Sequence, residues 1–129
     1  MKMNLLIILS LMFCSYSCEK LADHTYILRV QNNTKDTIQV YAGYNYPDTA
    51  LNVEKPILKI GYPDYETRLE SKTDWKDKLQ GDTLSIFILS KDTVDTYSWE
   101  DIRSEYNILK RYDMSISDLE SQNWTITYP

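Results

Sequence analysis

One histidine, two cysteines and 19 acidic side chains are the groups that acid–base, nucleophilic or metal chemistry could use in this 129-residue chain. His24 stands beside Asp23 in a short polar stretch, a few residues after Cys18. A general base must be held by packing within roughly 3 Å of the group it serves. A tether gives no such support, so His24 reads as an exposed histidine. That argues against Ser–His–Asp and Cys–His hydrolysis and leaves a histidine-based zinc site short of a second ligand. Glu100, Asp101 and Glu105 fall close together, and Asp92 and Asp95 flank Val94. Two carboxylates about 5 to 9.5 Å apart across a cleft hydrolyse glycosidic bonds. The same spacing also describes a solvated acidic face. Asp113 to Trp124 opens like a calcium loop, with oxygens at alternate positions. It has Asp118 where such a loop needs Gly and Trp124 where it needs Glu, so its serines read as helix caps. Three glycines build no phosphate loop. Fourteen basic against 19 acidic residues, with no basic run, argue against nucleic acid as a partner. No metal and no cofactor is expected.

Aromatic side chains are the other resource. There are 11 tyrosines, and Tyr41, Tyr44 and Tyr46 gather around one long loop with Asn45 and Asp48. Rings beside polar groups on a β scaffold stack on sugars or anchor a protein partner. Tyrosine rings also commonly cover the end of a sandwich with their hydroxyls wet. Tyr41, Tyr44 and Tyr46 are the candidate ligand-binding residues.

The first residues differ from the rest. Lys2 gives a positive start, and Leu5 to Phe13 is an apolar run broken only by Ser10. Small polar residues follow at 15–17, before Cys18 and the charged Glu19-Lys20. This is the pattern of a secretory signal peptide over 1–17, too short to span a bilayer. Ser17-Cys18 just past an apolar run resembles the bacterial lipobox, with Ser15 where an aliphatic residue is usual. The resemblance implies cleavage before Cys18 and acylation of its thiol, with 18–24 as a tether. Cys14 would be discarded with the signal, leaving no thiol for a disulfide in the domain. Asp followed by Thr and a small or apolar residue occurs at Thr37, Thr49, Thr83 and Thr93. The motif resembles the O-glycosylation signal of Bacteroides-type envelope proteins. Three of these threonines read as strand starts, which leaves Thr49, in the long loop, as the candidate modified residue.

These groups need a scaffold, and 43% hydrophobic with 26% charged residues is ordinary for a soluble globular domain. From Thr25 the period is mostly two. Residues 25–31 and 37–42 alternate around the turn cluster 32–36 and read as a hairpin. A short strand is expected at 56–60, with Pro56 at its start, and a half-wet strand around Thr67 and Leu69. A helical turn follows over 74–80, closed by Gly81. Residues 83–90 are apolar on both faces, which predicts a central strand covered on both sides. Lys91-Asp92 reads as a turn. Trp99 to Tyr112 fits one helix or, preferably, a helix over 99–105 running into a strand over 107–112. Ser115 or Ser117 caps a further turn through Leu119, and 123–128 is the last strand.

The fold class expected is mainly β, a β-sandwich-like or α+β domain over 25–129 with two or three short helices. Leu109 to Glu120 together with Trp124 to Pro129 resembles the ending of small lipoproteins of Bacteroides-type bacteria. The resemblance implies a lipid-anchored protein of the cell envelope, at the outer membrane, and no activity. Its membrane contact would be the lipid on Cys18. The function expected is a non-enzymatic binding or accessory module for a protein partner or a glycan. Its rivals are a small acidic-residue hydrolase of glycan or cell wall and an acidic inhibitor of a basic secreted enzyme.

Overall fold

Seven strands and four short helices follow one another in the computed structural model, which describes residues 24–129. The expected signal peptide, Cys18 and the expected tether as far as residue 23 lie outside the described residues. The order is β1 (Tyr26–Asn32), β2 (Ile38–Gly43), β3 (Lys59–Gly61), β4 (Glu66–Ser71), α1 (Trp75–Lys78) and β5 (Thr83–Ser90). Then come α2 (Lys91–Thr96), α3 (Trp99–Glu105), β6 (Lys110–Ser115), α4 (Ile116–Ser121) and β7 (Thr125–Tyr128). The fold is mainly β, as the alternation implies. Among the described residues no helix is long and apolar enough to cross a membrane.

The strands form two sheets, β4-β1-β7 and β3-β2-β5-β6. Neighbours are antiparallel except β1 and β7, which run parallel. The expected hairpin of β1 and β2 is therefore not made, because the two strands belong to different sheets. Alternation places Leu28 and Val30 on one apolar face and Ile38 and Val40 on another. It does not say whether those faces lie side by side or look at each other across a core. Asn32 decides it. Its Oδ1 accepts from the Thr34 N–H (3.0 Å) and hydroxyl (2.6 Å). Its Nδ2 donates to the carbonyls of Asp36 (2.8 Å) and Gly61 (3.1 Å). This fully buried amide organises the link as an arch that carries the chain from one sheet to the other.

Between the sheets lie Leu28, Val30, Leu69 and Ile126 from one side and Ile38, Val40, Leu84, Ile86 and Ile88 from the other, closed by Trp75 and Leu119. A second apolar cluster covers the back of the four-stranded sheet. Tyr41, Phe87 and Leu89 meet Leu51 of the long loop and Ile102 of α3 there. Thus β5 is buried on both faces, as its sequence requires. Gly43 fits below the Phe87 ring, where a Cβ would come within 2.8 Å of Cε2.

Other departures from expectation have local causes. Residues 91–96 form a helix, not a turn, held by the Lys91–Asp95 ion pair at i,i+4. α3 spans the expected 99–105 with Ser98 as its cap, but the next strand starts three residues late. Tyr106 ends the helix in the left-handed region (φ 51°), and Ile108 then packs into the second cluster. The strand expected at 56–60 shrinks to Lys59–Gly61.

Candidate functional site

The short β3 leaves a recess beside it. The long loop after β2 is committed to the outer layer. Leu51 is buried against Phe87 and Ile102. The Trp99 indole donates to the Asn52 carbonyl (2.8 Å) and the Arg103 guanidinium to the Leu51 carbonyl (3.2 Å). The chain so held rejoins the sheet only at Lys59. There the Thr67 hydroxyl donates to the Ile60 carbonyl (3.0 Å) and ties β3 to β4. Gly61 allows this approach, since a Cβ would sit 2.7 Å from Ile38 Cγ1 and 3.1 Å from Thr67 Oγ1. Away from that tie the two sheet edges gape. The resulting cleft, about 430 Å³, lies between Tyr41, Ala42 and Tyr44 on one side and Leu69, Glu70 and Trp75 on the other, with Pro56 and Ile57 beside them.

Its aromatic wall is built by α1. The Asp74 side chain accepts from the Lys76 N–H (3.0 Å) and starts the helix. Trp75 is then driven into the main core, 3% exposed. Tyr44 packs against it with ring centroids 6.4 Å apart and 29° between the planes. Lys78 Nζ stands 5.2 Å from the Tyr44 centroid and 5.3 Å from that of Trp75, a cation shared by two π faces. Burial raises the Tyr44 hydroxyl above its ordinary pKa.

Tyr41 is a different case. Its ring, 2% exposed, stacks on Phe87 at 4.7 Å and meets Trp99 edge-on at 6.0 Å. Burial pushes its hydroxyl well above the ordinary tyrosine pKa, and the nearby Asn52 backbone offsets only part of this. No hydrogen bond of ordinary geometry reaches that hydroxyl, nor the Trp75 Nε1 or the Gln39 Oε1.

Of the three tyrosines picked out by sequence, Tyr41 and Tyr44 line the cleft and Tyr46 is exposed on the loop outside its lining. Thr49 is partly exposed on the same loop, after an Asp48 whose side chain accepts from the Ala50 N–H (3.0 Å). Thr37 and Thr83 sit at strand starts, but Thr93 lies inside α2, contrary to its expected place. His24 is exposed with its ring edge-on to Tyr26 at 4.6 Å. It borders a smaller recess of about 310 Å³, whose lining includes the Lys76–Glu120 ion pair (2.8 Å). Asp92, Asp95, Glu100, Asp101 and Glu105 are exposed on α2 and α3. Glu70 is the carboxylate that lines the aromatic cleft. Among the described residues, no three His, Cys, Asp or Glu side chains are grouped to hold a metal ion.

One polar cluster had no sequence signal. Ser85, 1% exposed on β5, donates its hydroxyl to Asp113 Oδ1 (2.7 Å) on β6. Arg111 Nε donates to Asp113 Oδ2 (3.0 Å), and Arg111 Nη1 donates to the Tyr106 hydroxyl. The arrangement ties β5, β6 and the end of α3 together. Ala42, Ile57, Leu69 and Lys78 were also unmarked, since an apolar residue beside a cleft looks in sequence like one in a core.

The chain matches no family model, no curated protein and no solved structure. The cleft has to be read from its own chemistry. Apolar and aromatic walls with a few polar groups are the usual make-up of a binding site.

Proposed function

We propose that this protein is a non-enzymatic binding module of the bacterial cell envelope, anchored by lipid on Cys18, that takes part of a protein partner or a glycan into the Tyr44–Trp75 cleft. The observation that carries the reading is the cleft itself. Its walls are apolar and aromatic, its charges are few, and among the described residues Glu70 is its single lining carboxylate. A glycosidase needs two, so binding is the chemistry these side chains serve best. The anchor rests on the sequence from Lys2 to Cys18. Two acyl chains, at about 0.8 kcal/mol per buried CH₂, hold a protein on a bilayer where one would not.

The test uses the full-length chain. It is applied to a glycan array and to an immobilised peptide library, alongside Tyr44→Ala. Binding to either that falls at least about tenfold in the variant, roughly 1.4 kcal/mol, supports the reading. Ligands that bind both forms equally, or no ligand on either surface, defeat it.

A further inference from the structure

The cleft has a backbone wall as well as side-chain walls. Antiparallel strands point their backbone groups alternately to one neighbour and the other. Lys91 donates its N–H to the Thr37 carbonyl (3.2 Å) across the β2–β5 ladder. Thr37, Gln39, Tyr41 and Gly43 therefore turn their backbone groups toward β5, and Ile38, Val40 and Ala42 turn theirs the other way. Ile38 and Val40 meet Gly61 and Lys59 of β3. The next rung would join Ala42 to Ile57, and it is not made. β3 begins at Lys59, and among the described residues no backbone bond outside the ladders reaches Ala42 or Ile57. Ala42 lines the cleft and Ile57 stands 85% exposed beside it.

We propose that the occupant of the cleft is an extended peptide that adds to the four-stranded sheet at Ala42. A peptide carbonyl accepts the Ala42 N–H, and a peptide N–H donates to the Ala42 carbonyl. One apolar side chain of the peptide rests against Tyr44, Leu69 and Trp75. This inference rests on the binding-module reading and narrows its ligand to a peptide. A donor and an acceptor on one residue, at the end of a ladder already running, match a peptide unit set about 4.8 Å away. The rest of that sheet's boundary is guarded. Thr67 takes the Ile60 carbonyl. The opposite edge, β6, carries Lys110, Arg111 and Asp113, the charges that protect edge strands. Lys59 beside the cleft and Lys78 above its rings outnumber Glu70, which favours a peptide with acidic flanks.

The experiment selects from a random heptapeptide library displayed on phage against the full-length chain. The best peptide is synthesised with capped ends, and again with its central amide N-methylated. Amide hydrogen exchange of the protein is followed by NMR with and without it. The expected result is fast exchange at Ala42 in the free protein and about tenfold slowing with the capped peptide. The N-methylated peptide should bind at least about tenfold more weakly, because it has lost the donor. Ala42→Pro removes the outward N–H, which is not one of the β2–β5 ladder donors, and should weaken binding to the same degree. Should that variant fail to fold, the wild-type exchange data and the methylated peptide decide alone. Slow exchange at Ala42 in the free protein would mean that the chain's own 56–58 segment or a second copy already fills the rung, and would overturn the proposal. So would a selected peptide that leaves Ala42 unprotected, or a library that yields no binder. If glycans bind in a Tyr44-dependent way while peptides do not, the peptide inference fails and the binding-module reading stands. If neither binds, both fail.

Discussion

Tyr41→Phe isolates one oxygen atom in the second apolar cluster. The ring is 2% exposed and stacked on Phe87 at 4.7 Å, and Phe keeps that contact. The hydroxyl has no hydrogen bond, and a buried polar group left unpaired costs about 1–3 kcal/mol. The small void left by the oxygen costs a few tenths of a kcal/mol at about 24 cal/mol per Å³. The Asn52 backbone recovers part of the penalty. The variant should therefore be more stable by about 1 kcal/mol at neutral pH, raising the melting temperature by about 4 °C for a domain of this size. Urea unfolding with an unchanged slope is the assay. Alkali supplies a second readout. The folded hydroxyl titrates above the ordinary tyrosine value of about 10. Its contribution is then complete below about pH 10 and is lost as pH rises through the folded pKa, because the unfolded chain ionises first. The variant has no proton to lose there, so its stability should fall less steeply above pH 10. Tyr44 and Tyr112, also raised by burial, keep the fall from vanishing. A loss of more than about 1 kcal/mol with an unaltered alkaline slope would show that the hydroxyl makes a full hydrogen bond, and the argument would collapse.

Ile86→Ala, in the centre of β5 and fully buried, should cost about 2–5 kcal/mol; an unmoved denaturant midpoint would contradict its place in the core. Gly61→Ala places a Cβ 2.7 Å from Ile38 Cγ1 and should destabilise by about 1–3 kcal/mol. Its crystal structure should show β3 displaced from Thr67, and an unshifted β3 would refute the close-approach argument. Cys18→Ala should release the protein from the membrane fraction and abolish acylation, read by mass spectrometry of the N-terminus. A wild-type N-terminus that is unmodified, or that begins elsewhere, would end the lipoprotein reading.

Local pattern was a good guide where a residue's burial follows from its own strand. The two apolar faces of β5 announced a layer on each side, and α3 stands over the expected 99–105. Partner choice was not legible. The alternation in β1 and β2 is the same for a hairpin and for an arch, and the deciding contact, Asn32 to Gly61, joins residues far apart in sequence. Nor could the sequence show that the second half of β2 would lack a neighbour on its β3 side. That absence arises because Trp99 and Arg103 hold Leu51 and Asn52 away in the outer layer. Tyr44 was found because aromatic clustering is visible in sequence. Ala42 was not, because its part is played by the backbone.

The parallel pairing of β7 with β1 sets a timetable for folding. Val30 lies opposite Ile126, so β1, the first of the described strands, waits for β7, the last, before its sheet can close. Until Thr125 to Tyr128 appear, β1 can recruit only β4, and a two-stranded ribbon is marginal on its own. Long-range pairing of this kind is slow to form and leaves sticky strands exposed in the interval. The domain should therefore stay loose until Thr125 to Tyr128 are in place. Deleting Thr125 to Tyr128 should yield aggregate, not a slightly shortened domain.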